Sequence, residues 1–195
     1  AIGTRPVDLH LFALKKLGAK IKIKNGYILA EAKNGLKAAT IKFPKISVGA
    51  TENALLAAFM AKGKTVLKNC ALEPEINDLI SFLKKLGGII KISGRTISIN
   101  KNKVKKKLIK HEIIFDRIEA GTYMIAAMIT NGNLRITNIK SKFINTEINI
   151  LKKIGAEIKV KENEINIIRK KKFKNIKIKT SPYPGFPTDL QAQLM

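Results

Sequence analysis

The sequence predicts an α/β fold made of a repeated βαβαββ-type unit, three copies related by quasi-threefold symmetry, with apolar helices inside and sheets outside. Three observations carry this expectation. One phrase occurs three times, as Leu14-Lys15-Lys16-Leu17-Gly18, Leu83-Lys84-Lys85-Leu86-Gly87 and Leu151-Lys152-Lys153-Ile154-Gly155, with starts 69 and 68 residues apart. A second phrase interleaves with it: Gly49-Ala50-Thr51 and residues 65–69 are answered by Ala120-Gly121-Thr122 and residues 134–138. The 195-residue chain is also 45% hydrophobic, with Ile and Leu spread along it, which is enough to bury a core. Interleaved repeats of one spacing mark a duplicated unit whose apolar faces are covered only by neighbouring copies.

Each element of the unit has its own reason. Residues 75–86 place Ile76, Leu79, Ile80, Leu83 and Leu86 at the i, i+3, i+4, i+7 spacing of an amphipathic helix, and Gly87 follows where a helix end wants positive φ. Ile90, Ile92, Ile97 and Ile99 then alternate with polar residues around Ser93-Gly94-Arg95, a hairpin with its apolar face toward a core. Tyr27 and Leu29 in the first copy, and Ile165 and Ile167 in the third, repeat that pattern. The other helix, residues 52–61 or 123–130, is apolar nearly all round and is expected to be buried on most sides. It leads through Lys62-Gly63-Lys64 or Asn131-Gly132-Asn133 into a short strand at residues 65–67 or 134–137.

Composition excludes several classes. A single cysteine, with no Cys/His cluster at metal-ligand spacing, removes disulfide frameworks and zinc sites and fits a reducing cytoplasm. The longest apolar stretch, residues 54–61, is far short of the roughly 18 apolar residues that span a membrane. The start has neither the basic beginning nor the apolar core of a signal peptide. Residues 189–195 read as an N-cap followed by helix formers that stop early, so the chain is expected to be an internal segment of a longer protein. Its expected division is residues 1–114 and 115–195.

The candidate site residues carry chemistry that also has ordinary explanations. Arg5 and Pro6 offer a planar cation and a rigid ring that can sandwich a nucleobase, with backbone groups of Val7, Asp8 and Leu9 at its edge. Alone, they equally make a turn. Lys45, Ser47, Val48 and Gly49 supply an ammonium, a hydroxyl and successive N–H groups at a helix start, where a diphosphate is favoured, or simply an N-cap. Asp189, after Phe186-Pro187-Thr188, is by default a capping residue. Cys70 reads as a small buried apolar residue, and His10 as a local hydrogen-bonding residue; His111 is undecided. The excess of 38 Lys and Arg over 14 Asp and Glu gives a net charge of +24, with basic runs at residues 101–110 and 169–174. A nucleic-acid-binding module on this repeat is the alternative that charge suggests, but the basic residues are dispersed through all three copies, with almost no aromatic interleaving.

Several phrases together resemble the enolpyruvyl transferases. These are Ala1-Ile2-Gly3-Thr4-Arg5-Pro6-Val7-Asp8-Leu9-His10, Lys45-Ile46-Ser47-Val48-Gly49-Ala50-Thr51-Glu52-Asn53, Glu73-Pro74-Glu75-Ile76, Asp116-Arg117-Ile118-Glu119-Ala120-Gly121-Thr122 and Phe186-Pro187-Thr188-Asp189-Leu190-Gln191-Ala192-Gln193. The likeness runs end to end and points to the branch whose acceptor is UDP-N-acetylglucosamine. A 3-phosphoshikimate enzyme of the same fold is the alternative within the family. The resemblance implies an inside-out α/β barrel, with residues 1–114 most of the loop-bearing catalytic domain and 115–195 its continuation toward an opposing domain of the same full-length chain. It implies that Arg5, Pro6, Val7, Asp8 and Leu9 hold the uridine, that Lys45, Ser47, Val48 and Gly49 hold the diphosphate, and that Asp189 contacts the sugar 3-hydroxyl as general base. The substrates implied are phosphoenolpyruvate and UDP-N-acetylglucosamine, with no metal or organic cofactor, no membrane and no specific nucleic acid. In the family pattern the residue before Ala1 is the loop proton donor, so this segment alone is expected to be inactive.

Overall fold

The computed structural model describes residues 6–101, 108–169 and 172–195. The chain divides into two compact units, Ala1–Glu112 and Ile113–Met195.

In the first unit, helix α1 (Asp8–Lys16) leads into a two-stranded antiparallel hairpin, β1 (Lys20–Lys24) and β2 (Tyr27–Glu31). A complete copy of the repeat follows as β3 (Thr40–Lys42), α2 (Val48–Met60), β4 (Thr65–Lys68), α3 (Pro74–Lys85), β5 (Gly88–Ser93) and β6 (Thr96–Lys101). Its strands form one sheet in the order β3-β4-β6-β5, with β3 and β4 parallel across α2 and the other pairs antiparallel. Helix α3 forms as its periodicity predicts: Pro74 occupies the first turn, Ile76, Ile80 and Leu83 are buried, and Lys84 and Lys85 sit at the carbonyl end. Gly18, Gly87 and Gly155, the glycine of each copy of the phrase, have φ of +93°, +109° and +132°, so each ends its helix in backbone that a side chain would strain.

The second unit holds α4 (Arg117–Ile129), β7 (Asn133–Thr137), α5 (Asn145–Ile154), β8 (Ala156–Lys161) and β9 (Glu164–Arg169). These strands form an antiparallel sheet in the order β7-β9-β8. A 3-10 turn (Thr188–Leu190) and a single helical turn, α6 (Gln191–Leu194), complete it. No leading strand precedes α4 among the described residues.

The α/β class stands, with five differences in detail. One core does not serve all three copies: Ile41, Leu55, Leu67, Ile97 and Ile99 centre the first unit's core, whereas Met124, Ile144, Leu151, Ile165 and Ile167 close another in the second. The apolar helices each keep an exposed line, with Met60 on α2 59% exposed and Ile129, its counterpart on α4, 63% exposed. The first hairpin does not turn an apolar face inward: Tyr27 is 74% exposed and Leu29 is also exposed, because β1 and β2 pair only with each other among the described residues. Ile92 is exposed as well, since it lies on β5 at the edge of its sheet. Helices α2 and α4 start earlier than the apolar runs suggest because Ser47 and Asp116 cap them.

Candidate functional site

The two phrases expected to hold a nucleotide meet at the starts of α1 and α2. Pro6 and Val7 precede α1 and are exposed, and Asp8 is exposed in its first turn. Leu9 is buried in the core with Ala13, anchoring the helix, so only its backbone faces outward chemistry. Arg5 lies outside the described residues. The first-turn N–H groups of a helix have no carbonyl of their own to bond, and Val7 offers no side-chain cap.

Helix α2 opens the same way from the other phrase. Ser47 is its N-cap, Oγ accepting from the Ala50 N–H at 3.3 Å. That leaves the N–H groups of Val48 and Gly49 for water or an anion. No acidic residue occupies this first turn, and Lys45 stands exposed just before it. Ser47 is thus the N-cap that its residue type predicts, and capping one N–H does not close the turn to a ligand.

His10 joins the two helices. Its Nδ1 lies 3.0 Å from Asn53 Nδ2 on α2, and a Cβ on Gly49 would stand only 3.3 Å from His10 Cε1. The ring therefore lies against the backbone at Gly49, in the first turn of α2. His10 is not a local bonding partner: it reaches 43 residues along the chain. Asn53 went unassigned in the sequence reading, although it closes the phrase that begins at Lys45. Beside them, burial first, then Glu75 and Glu73, pushes the Glu52 carboxyl above its ordinary value, and His10 partly offsets this.

Asp189 belongs to the second unit and is exposed within the Thr188–Leu190 turn. It does not cap a helix: the turn begins after Pro187, without a side-chain cap bond, and α6 begins after Leu190. The flanking segment is anchored. Phe186 and Leu190 are buried, Thr146 Oγ1 donates to the Pro184 carbonyl at 2.6 Å, and the Tyr183 ring lies 5.8 Å from the Arg117 guanidinium. Arg117 in turn pairs with Glu147 at 3.5 Å, the two side chains 8% and 5% exposed.

Cys70 is fully buried, and burial pushes its thiol up to about 11, as suits a packing residue rather than an acid or nucleophile. His111 bonds Asp78 at 3.1 Å and lies against Phe82, 5.3 Å between ring centroids, well apart from these phrases in sequence. Among the described residues no group of His, Cys, Asp or Glu is placed to hold a metal ion, and no helix is long and apolar enough to cross a membrane. Of the basic runs, residues 102–107 and 170–171 lie outside the described residues.

Comparison with known proteins places this geometry in a family. The chain is 62% identical over its whole length to a UDP-N-acetylglucosamine 1-carboxyvinyltransferase of Pelagibacter ubique (strain HTCC1062), and 52% identical to one of Endomicrobium trichonymphae. It spans 47% of the length of each of these relatives. Among solved structures, the enolpyruvyl transferase NikO from Streptomyces tendae superposes with a TM-score of 0.83 at 22% identity, over 97% of this chain and 48% of that one. An EPSP synthase from Acinetobacter baumannii gives 0.59 at 23% identity, over 85% of this chain and 40% of that one. These two likenesses establish a shared fold. Residues 1–195 match the family described as EPSP synthase (3-phosphoshikimate 1-carboxyvinyltransferase) from end to end, and the chain belongs to that family.

Proposed function

We propose that the full-length protein transfers the enolpyruvyl group of phosphoenolpyruvate to the 3-hydroxyl of UDP-N-acetylglucosamine and releases phosphate, an early step of cell-wall peptidoglycan synthesis carried out in the cytoplasm. The observation that carries this reading is the convergence of the α1 and α2 starts, tied by His10 and Asn53, in a chain 62% identical to a UDP-N-acetylglucosamine 1-carboxyvinyltransferase. The family description names the 3-phosphoshikimate reaction, but that relative and the one at 52% carry the UDP-sugar name, which favours the nucleotide acceptor.

In this mechanism Arg5 and Pro6 sandwich the uracil while backbone groups of Val7, Asp8 and Leu9 read its edge. Lys45 and the hydroxyl and N–H groups of Ser47, Val48 and Gly49 take the diphosphate, whose charge suits the positive end of α2. Asp189 removes the proton of the sugar 3-hydroxyl as that oxygen bonds to C2 of phosphoenolpyruvate, and C3 receives a proton from a separate donor. Cys70, buried and with a raised pKa, is not that donor. The resulting ketal loses a proton from C3 and expels phosphate, leaving the enolpyruvyl ether. The opposing domain of the full-length chain completes the phosphoenolpyruvate site.

The test is phosphate release from phosphoenolpyruvate by the full-length protein, with and without UDP-N-acetylglucosamine, beside its Asp189→Ala variant. Release should require the sugar nucleotide and fall about 100-fold or more in the variant. Release that ignores the nucleotide, or a variant at the parent rate, refutes the reading.

A further inference from the structure

Asp189 is exposed, yet the residue after it is among the most tightly held in the second unit. Leu190 has no exposed surface and belongs to the same core as Ala120, Met124 and Phe186. The surface it rests on is Gly121, on the first turns of α4. A Cβ built on Gly121 would stand 2.5 Å from Leu190 Cδ1, 3.2 Å from Cδ2 and 3.5 Å from Cγ. Both methyls and Cγ face the glycine, so a Cβ there obliges the Leu190 side chain to shift. One turn further along the chain, Gln193 Nε2 donates to Thr122 Oγ1 at 3.3 Å, so the segment is held to α4 at adjacent residues.

The repeat supplies an internal control. In the second copy of the unit the place of Gly121, fifth after the cap Asp116, is taken by Glu52, fifth after the cap Ser47, and it carries a full side chain. A methyl group is therefore compatible with that turn of helix. The third copy has glycine where Leu190 comes down onto it. A mid-helix glycine costs about 1 kcal/mol relative to alanine, a cost with an evident structural purpose here.

We propose that Gly121 and Leu190 are positioning residues for the Asp189 carboxylate. The bare backbone at Gly121 lets Leu190 seat directly on α4, and that seat sets the height and direction of the carboxylate one residue earlier. The inference rests on the reading of Asp189 as the base. A base displaced by about 1 Å can lose some 100-fold in rate while the substrates still bind.

The experiment compares full-length parent, Gly121→Ala, Leu190→Val, the double variant and Asp189→Ala by kcat, by KM for both substrates and by thermal melting. Gly121→Ala should lower kcat about 10- to 100-fold with KM nearly unchanged. Leu190→Val, which withdraws the branched end from the glycine, should also lower kcat. The double variant, restoring the combined bulk, should recover most of it, a coupling that simple loss of stability does not produce. A parent-level kcat in Gly121→Ala, or a double variant no better than either single one, overturns the proposal. Should Gly121→Ala fail to fold, Leu190→Val and the double variant decide: parent-level kcat in the first, or no recovery in the second, overturns it. If Asp189→Ala itself keeps the parent rate, the assignment of the base has failed; if Asp189→Ala is inactive while Gly121→Ala is unaffected, only the positioning role has.

Discussion

Single residues in this chain show how position decides chemistry. Glu52 and Asp189 are both carboxylates in phrases that carry the family resemblance, but only Asp189 is exposed. Glu52 is partly buried near Glu75 and Glu73, and its carboxyl holds its proton above the ordinary 4.5. A raised folded-state pKa means the folded state binds the proton more tightly than the unfolded one. The stability this contributes is complete below the unfolded value and is lost as pH rises through the folded value. Glu52→Gln, a permanent stand-in for the protonated form, should therefore raise the melting temperature at neutral pH and change it little at about pH 4. An equal gain at both pH values would show that ionisation is not the cause. Asp189 could be singled out from the sequence only through resemblance, since a carboxylate after Pro-Thr is read first as a cap. Its exposed place in a 3-10 turn, with no cap bond, came from the fold.

At the scale of elements, the start of α2 is fixed by side chains as well as by its own ladder. Thr51 is fully buried, its Oγ1 donating to the Ser47 carbonyl at 2.7 Å and accepting from the Ala71 N–H at 3.1 Å. One hydroxyl thus ties the proposed diphosphate turn to the segment between β4 and α3. Thr51→Val keeps the shape but leaves the buried Ala71 N–H without this partner, so unfolding by denaturant should show a loss of about 1–3 kcal/mol. An unchanged midpoint would mean the hydroxyl contributes nothing. Helix α3 and the β5–β6 and β8–β9 hairpins were legible because periodicity of 3.6 or 2 survives in a single window. The starts of α2 and α4 were less so, because a cap is polar and falls before the apolar run that announces the helix. The exposure of Tyr27, Leu29 and Ile92 was not legible at all: alternation shows that a strand has an apolar face, not whether another element covers it.

For the whole molecule, the repeat was the most informative feature of the sequence, yet it could not say which copies share a core. Two copies contribute to one core and the third closes its own, a grouping that depends on contacts between distant residues and leaves no local mark. The charge belongs to this scale too. With +24 spread over 195 residues, like charges oppose compaction. Raising sodium chloride from about 0.01 M to about 0.15 M shortens the screening length from about 30 Å to about 8 Å. The melting temperature should rise over that range, and a flat or falling response would mean that local ion pairs such as Arg135–Glu164 outweigh the general repulsion. The left-handed backbone positions have a consequence of their own. Asn69 and Asn138, which follow β4 and β7 at matching places in their copies, have φ of +59° and +57°, just as the three phrase glycines share their sign. Residues beside the two asparagines differ between the copies, whereas the glycines sit in the repeated Leu-Lys-Lys phrase. Ancestry in this chain is thus written in dihedral angles as well as in side chains: at these five places the duplicated segments still bend the way few amino acids allow.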